Sequence, residues 1–117
     1  MTTSLVLTDD HPIVLAGLTH LFLSVPGFEV RATCSDDKEV TAALLLHRPD
    51  IFLFDPFMKR MDGLGILRWI RQENLSTRVV AFPANVNAEM ALALIRLGVR
   101  GVVLKEMPTE LLIYCVS

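Results

Sequence analysis

Short apolar runs with strand character alternate with longer helix-like segments from one end of this chain to the other. Ser4–Thr8 reads as a strand and His11–Val25 as a helix, with Pro12 in its first turn, where a missing N–H costs nothing. Pro26-Gly27 turns the chain into a second strand, Phe28–Thr33, whose alternating polar residues place it at a sheet edge. Asp36–His47 is a helix capped by Ser35 or Asp36, and Arg48-Pro49-Asp50 breaks it ahead of the strongly apolar strand Ile51–Phe54. A loop over Asp55–Gly63 leads to a helix from Leu64 to about Asn74, and Arg78–Phe82 is the fourth strand. Asn87–Leu97 is a fourth helix stopped by Gly98, Gly101–Leu104 a fifth strand, and Pro108 opens a last helix. Five such units with short connections dictate a doubly wound α/β domain, a five-stranded parallel sheet with helices on both faces. The strand order 2-1-3-4-5 fits 117 residues and makes the first and third strands neighbours. With 52% apolar residues, enough for one core, residues 1–117 read as a single domain.

The chemistry lies where three of these strands end. Leu5-Val6-Leu7 leads across Thr8 to Asp9 and Asp10, Ile51–Phe54 leads to Asp55, and Val102-Val103-Leu104 leads to Lys105. Open parallel sheets bind ligands in the crevice outside the carboxyl ends of their strands. Converging carboxylates repel one another and favour a cation, and Mg²⁺ suits one or two carboxylates, a carbonyl and waters. Asp55 can act there as a nucleophile toward phosphorus. Phosphoryl transfer needs mainly positioning and charge neutralisation, which a cation and Lys105 would supply. The plainer alternative makes these acids solvated loop residues or helix caps, with Asp10 capping the first helix. His11 fits an orienting or capping role beside the acidic pair better than that of a ligand.

Several function classes are excluded. A formal net charge of −2 leaves no basic field to hold nucleic acid. No G-x-x-x-x-G-K-[ST] loop is present, and no G-x-G-x-x-G follows the first strand, which removes P-loop and dinucleotide readings. The two cysteines, Cys34 and Cys115, lack metal spacing and read as free, buried thiols, which suits a reducing cytoplasm. Met1-Thr2-Thr3-Ser4 carries no positive charge of a leader, and the apolar stretch Ile13 to Val25 is shorter than the roughly 20 residues that cross a bilayer. The expectation is a cytoplasmic protein without membrane contact.

These residues, in this order, resemble the receiver domain of two-component response regulators over essentially the whole chain. The opening Leu5-Val6-Leu7-Thr8-Asp9-Asp10-His11-Pro12, continuing to Ala16-Gly17-Leu18, is similar to the NarL/FixJ (LuxR-type) subfamily. Met58, Met61-Asp62-Gly63 and the closing run from Gly98 to Glu106 agree with it. The resemblance implies a flavodoxin-like (βα)5 receiver fold, with Asp55 as phosphoacceptor. It implies Mg²⁺ held by Asp9, Asp10, Asp55 and the backbone carbonyl of Phe57, and a phosphoryl group held by Lys105 and the backbone of Ala84. The donor it implies is a phosphohistidine on a sensor histidine kinase, with Asp55 catalysing its own acceptance, so the chain is not a conventional enzyme. It also implies control of transcription through a helix-turn-helix output domain, for which the sequence has no room after the last helix; DNA would be met only through that domain.

Two departures from the family pattern concern the reporting of phosphorylation. Pro83 stands where receivers carry Ser or Thr, and offers neither hydroxyl nor N–H. Val102 stands where an aromatic ring usually swings inward. A coupling that depends on contacts differing between two states weakens without them. This keeps open an atypical receiver that works as an interaction or dimerisation module independent of phosphorylation. In the loop, Pro56 follows the acceptor and Lys59 replaces a proline beside Arg60; these cations either lie over the acidic site or form a solvated loop tip. A phosphatase with an aspartate nucleophile would want a second carboxylate at Phe57 and lacks it. The last helix is apolar almost all round and the fourth carries Leu92, Leu94, Ile95 and Leu97. Either a homodimer through the fourth-helix to fifth-helix face covers them, or a neighbouring part of a longer chain does.

Overall fold

The structure, a computed structural model, describes residues 2–117. Its elements are β1 (Thr3–Thr8), α1 (Pro12–Ser24), β2 (Phe28–Cys34), α2 (Asp37–His47), β3 (Ile51–Phe54), α3 (Gly63–Gln72), β4 (Arg78–Ala81), α4 (Ala88–Arg96), β5 (Gly101–Val102) and α5 (Thr109–Val116). The strands are parallel and lie in the order β2-β1-β3-β4-β5, as the alternation of elements predicts. β2 is an edge strand, and its exposed polar residues alternate with partly buried apolar ones.

The period-2 alternation of strand side chains divides the core into two halves. Leu5, Leu7, Ile51, Leu53 and Val80 face α1 and α5, where they pack with Leu18, Phe22, Leu112 and Val116. Val6, Phe52, Phe54, Val79 and Ala81 face the other way, with Val40, Leu44, Leu67, Ile70 and Leu94 of α2, α3 and α4. Phe52 and Phe54 stack at 4.8 Å, and Phe22 meets Phe28 edge-on at 5.2 Å. Burying each such side chain contributes about 1.5–3 kcal/mol.

Most departures from the sequence expectation are at element ends, where caps replace helical residues. His11, Asp36 and Asn87 are N-caps of α1, α2 and α4, and the Asp36 and Asn87 side chains accept from the N–H groups of Glu39 and Met90. Asp10 does not cap α1. Asp62 caps α3 by accepting from Gly65 N–H at 3.0 Å, so this helix starts at Gly63, and it ends at Gln72 because Asn74 is left-handed, φ 54°. Pro108 does not open α5 from within: with ψ 143° it is the residue before the helix. β5 is shorter than expected because Pro83 has no N–H to return across the β4–β5 edge.

Cys34 is buried, and burial, followed by the charges of Glu39 and Asp36, pushes its thiol up to about 11. Cys115, which sits on α5 directly against Gly101, is only half-buried, a correction to the expectation. Burial raises its pKa also, so neither thiol is readily ionised. Among the described residues no helix is long and apolar enough to cross a membrane. Of the large apolar residues on α4 and α5, Leu92, Ile95, Leu111 and Tyr114 remain exposed.

Candidate functional site

Backbone pairing continues past the strand ends and carries the register into the loops. Asp55 N–H donates to Thr8 O at 3.3 Å, Phe82 N–H to Phe54 O at 2.8 Å, Val103 N–H to Ala81 O at 2.9 Å and Lys105 N–H to Pro83 O at 2.9 Å. Those bonds set the residues that follow β1, β3 and β5 beside one another. Lys105 Nζ lies 2.7 Å from Asp9 Oδ2 and donates to Asp55 Oδ2 at 2.9 Å. The Asp9 side chain is 0% exposed, and a buried carboxylate needs such a partner.

Each remaining carboxylate oxygen with a bond here is held from its own loop. Asp9 Oδ1 accepts from His11 N–H at 2.9 Å, and Asp55 Oδ1 accepts from Phe57 N–H at 2.9 Å. His11 Nδ1 lies 3.0 Å from Asp9 Oδ1 and 3.0 Å from Asp10 Oδ1. Three carboxylates against the ammonium groups of Lys105 and of Lys59, which also lines the cleft, leave a formal excess of one negative charge. Burial works against the Lys105 ammonium, but its bonds to Asp9 and Asp55 and their charges outweigh this and hold its pKa above the ordinary lysine value.

Asp10, Asp55, Phe57, Ala84 and Lys105 line one open cleft of about 350 Å³, with Asp9 beneath it in contact with the lysine. Pro83 is buried and is not among the lining residues; Val102 is half-buried against the core half that faces α2, α3 and α4. Of the two loop cations, Lys59 lines the cleft while Arg60 is exposed outside it. Sequence reasoning passed over Asn85, which also lines the cleft. Its signal was its place as the first polar side chain after the fourth strand. The loop over the cleft is anchored from below by buried Met58 and Met61. It closes where Gly63 meets the Pro56 carbonyl so tightly that a Cβ would overlap it.

The donor set suits a divalent cation: ligating atoms of Asp9, Asp10 and His11 lie within 4.8 Å of one another beside a net negative cleft. The same cleft holds a carboxylate and an ammonium in contact, the pairing that phosphoryl chemistry uses.

The family described as the response regulator receiver domain matches residues 5–117, and the chain belongs to it. Its relatives are of the LuxR type. It is 30% identical over 107 residues to the nitrate/nitrite response regulator protein NarL of Escherichia coli (strain K12), covering 92% of this chain and 50% of that protein. A LuxR-family two-component response regulator from Aurantimonas sp. SI85-9A1 matches with TM-score 0.90 at 30% identity, over 97% of this chain and 81% of the other. RcsB from Salmonella enterica serovar Typhimurium, solved on promoter rprA with the phosphomimetic BeF3-, matches with TM-score 0.84 at 25% identity, over 95% and 64%. The chain spans about half the length of the curated relatives it matches.

Proposed function

We propose that this receiver accepts a phosphoryl group on Asp55 from the phosphohistidine of a sensor histidine kinase, in the cytoplasm. The observation that carries the reading is the contact of Lys105 Nζ with both Asp55 Oδ2 and Asp9 Oδ2 at the mouth of one cleft. An Asp55 oxygen forms the new P–O bond as the P–N bond to the donor imidazole breaks, and the donor nitrogen takes up a proton. Lys105 holds charge on the transferred group, and the Ala84 backbone borders the space it would occupy. Phe57 N–H fixes the acceptor's rotation through Oδ1. Asp9, Asp10, Asp55 and the Phe57 carbonyl would hold Mg²⁺, which when bound supplies countercharge to phosphoryl oxygens.

The output is transcriptional, as the name of the transcriptional regulatory protein DegU of Brevibacillus brevis says of that relative, and would pass through a DNA-binding segment joined to this domain. A second copy meeting α4 and α5 would cover Leu92, Ile95, Leu111 and Tyr114. The test is incubation with Mg²⁺ and acetyl phosphate followed by intact-protein mass measurement. One phosphoryl adduct is expected, localised to Asp55 and missing in Asp55→Asn. An unmodified wild-type protein that also ignores beryllofluoride would overturn the reading in favour of a module independent of phosphorylation.

A further inference from the structure

Lys59 stands at the rim of the acidic cleft, on a turn that fixes where its side chain leaves the backbone. Met61 N–H donates to the Met58 carbonyl at 3.4 Å, which makes Lys59 and Arg60 the two central residues of a tight turn. Met58 and Met61 on either side are 4% and 6% exposed and pin that turn to the core, and Gly63 closes the loop against the Pro56 carbonyl. The two central residues diverge: Lys59 lines the cleft with Asp10, Asp55, Ala84 and Lys105, and Arg60 is exposed outside it. The two cleft lysines are committed differently. Lys105 Nζ is in contact with Asp9 and Asp55, whereas the Lys59 ammonium forms no ion pair among the described residues. A cation that lines a net negative cleft and is bonded to none of its carboxylates is free to meet an incoming anion.

We infer that Lys59 is a second cationic contact for a phosphoryl group on Asp55, and that it opposes Mg²⁺ while the cleft is unphosphorylated. The inference rests on the reading of Asp55 as phosphoacceptor. Pro83, just beyond β4, offers that group no hydroxyl, and the Lys59 ammonium supplies a donor in its stead. Charge points the same way. An aspartyl phosphate carries a charge of about −2, where the carboxylate carried a single negative charge. Against Lys105 and a bound Mg²⁺, the phosphorylated acceptor with Asp9 and Asp10 still leaves about one negative charge, and the Lys59 ammonium removes it. Before phosphorylation the same ammonium repels the dication. One residue thus acts with opposite sign on the two ligands, whereas a solvated loop tip would act on neither.

The experiment is amide-shift titration at low ionic strength, first with Mg²⁺ alone and then with beryllofluoride at saturating Mg²⁺. It compares wild type, Lys59→Gln, Lys59→Ala and Arg60→Gln, with circular dichroism confirming the fold. Both Lys59 variants are expected to bind Mg²⁺ about threefold more tightly and beryllofluoride about fivefold more weakly. Arg60→Gln removes the same charge outside the cleft and is expected to stay within about twofold of wild type for both ligands. If wild type binds both ligands but the Lys59 variants do not tighten the first and weaken the second, the inference fails and the acceptor reading stands. The same follows if Arg60→Gln matches Lys59→Gln, since the effect is then one of overall charge. If wild type binds no beryllofluoride with Mg²⁺ present, the acceptor reading fails and this inference with it.

Discussion

The backbone N–H of Lys105 donates to the carbonyl of Pro83 at 2.9 Å. The proline that removes a hydroxyl from the end of β4 therefore still positions the lysine of the cleft. Acceptance and reporting are separate demands on this residue: a carbonyl serves the first, and only a side-chain hydroxyl would serve the second. In wild type, beryllofluoride is expected to shift amide resonances of residues around the cleft and leave those of α4 in place. Pro83→Ser keeps the carbonyl and adds a hydroxyl and an N–H, so shifts should then extend into α4. Shifts throughout α4 in wild type would show that this receiver signals by another route.

Lys105 is the only cation touching Asp9 and Asp55 among the described residues. Lys105→Met leaves two buried carboxylates adjacent and uncompensated, at a cost of about 1–3 kcal/mol near neutral pH; the figure is reduced from the full buried-pair value because the lysine is 17% exposed. Urea unfolding with and without millimolar Mg²⁺ checks this. The variant should regain more stability from Mg²⁺ than wild type does. An unchanged urea midpoint in the variant would show that the pair contributes nothing.

Two groups set the pH limits, at opposite ends of the scale. Lys105 has a folded pKa above 10.5, so its contribution is complete below that value and is lost as the pH climbs through the folded one. Asp50, just ahead of β3, behaves inversely. The Ser4 N–H and then the Ser4 hydroxyl hold its carboxylate below 3.8, so its contribution is complete above 3.8 and fades as the pH falls through the lower folded value. Thermal melts should show the gap between wild type and Lys105→Met closing as the pH climbs through the folded value of the lysine. The gap to Asp50→Ala should close only on the acid side, with no crossing between pH 6 and 8.

Two glycines give opposite results on the same substitution. Gly63→Ala forces a methyl against the Pro56 carbonyl beneath the cleft loop, and should cost about 1–3 kcal/mol. Gly17, inside α1, has nothing within reach of an added methyl, and Gly17→Ala should stabilise by about 0.5–1 kcal/mol. Denaturant midpoints of the two variants moving in the same direction would contradict this placement.

The fold was legible because its signals are local and repeated. Apolar strands such as Ile51–Phe54, separated by capped helices, leave little choice of topology, and the polar alternation of Phe28–Thr33 marked an edge. The gathering of Asp9, Asp55 and Lys105 followed from that topology. What stayed hidden depends on atoms that sequence does not order. Nothing in the letters says that the His11 ring folds back to both carboxylates, that Asn85 reaches the cleft, or that Pro83 serves through its carbonyl. The exact ends of α3 and α5 were missed for a related reason, since a cap is decided by one side-chain bond or one backbone angle at Asp62 or Pro108.

Asp9 divides its two oxygens between neighbours that never meet on it, His11 on one and Lys105 on the other. A regulator built this way has two independently adjustable traits in a single buried side chain. Changes at position 11 would release one oxygen of that carboxylate, and changes at position 105 would release the other.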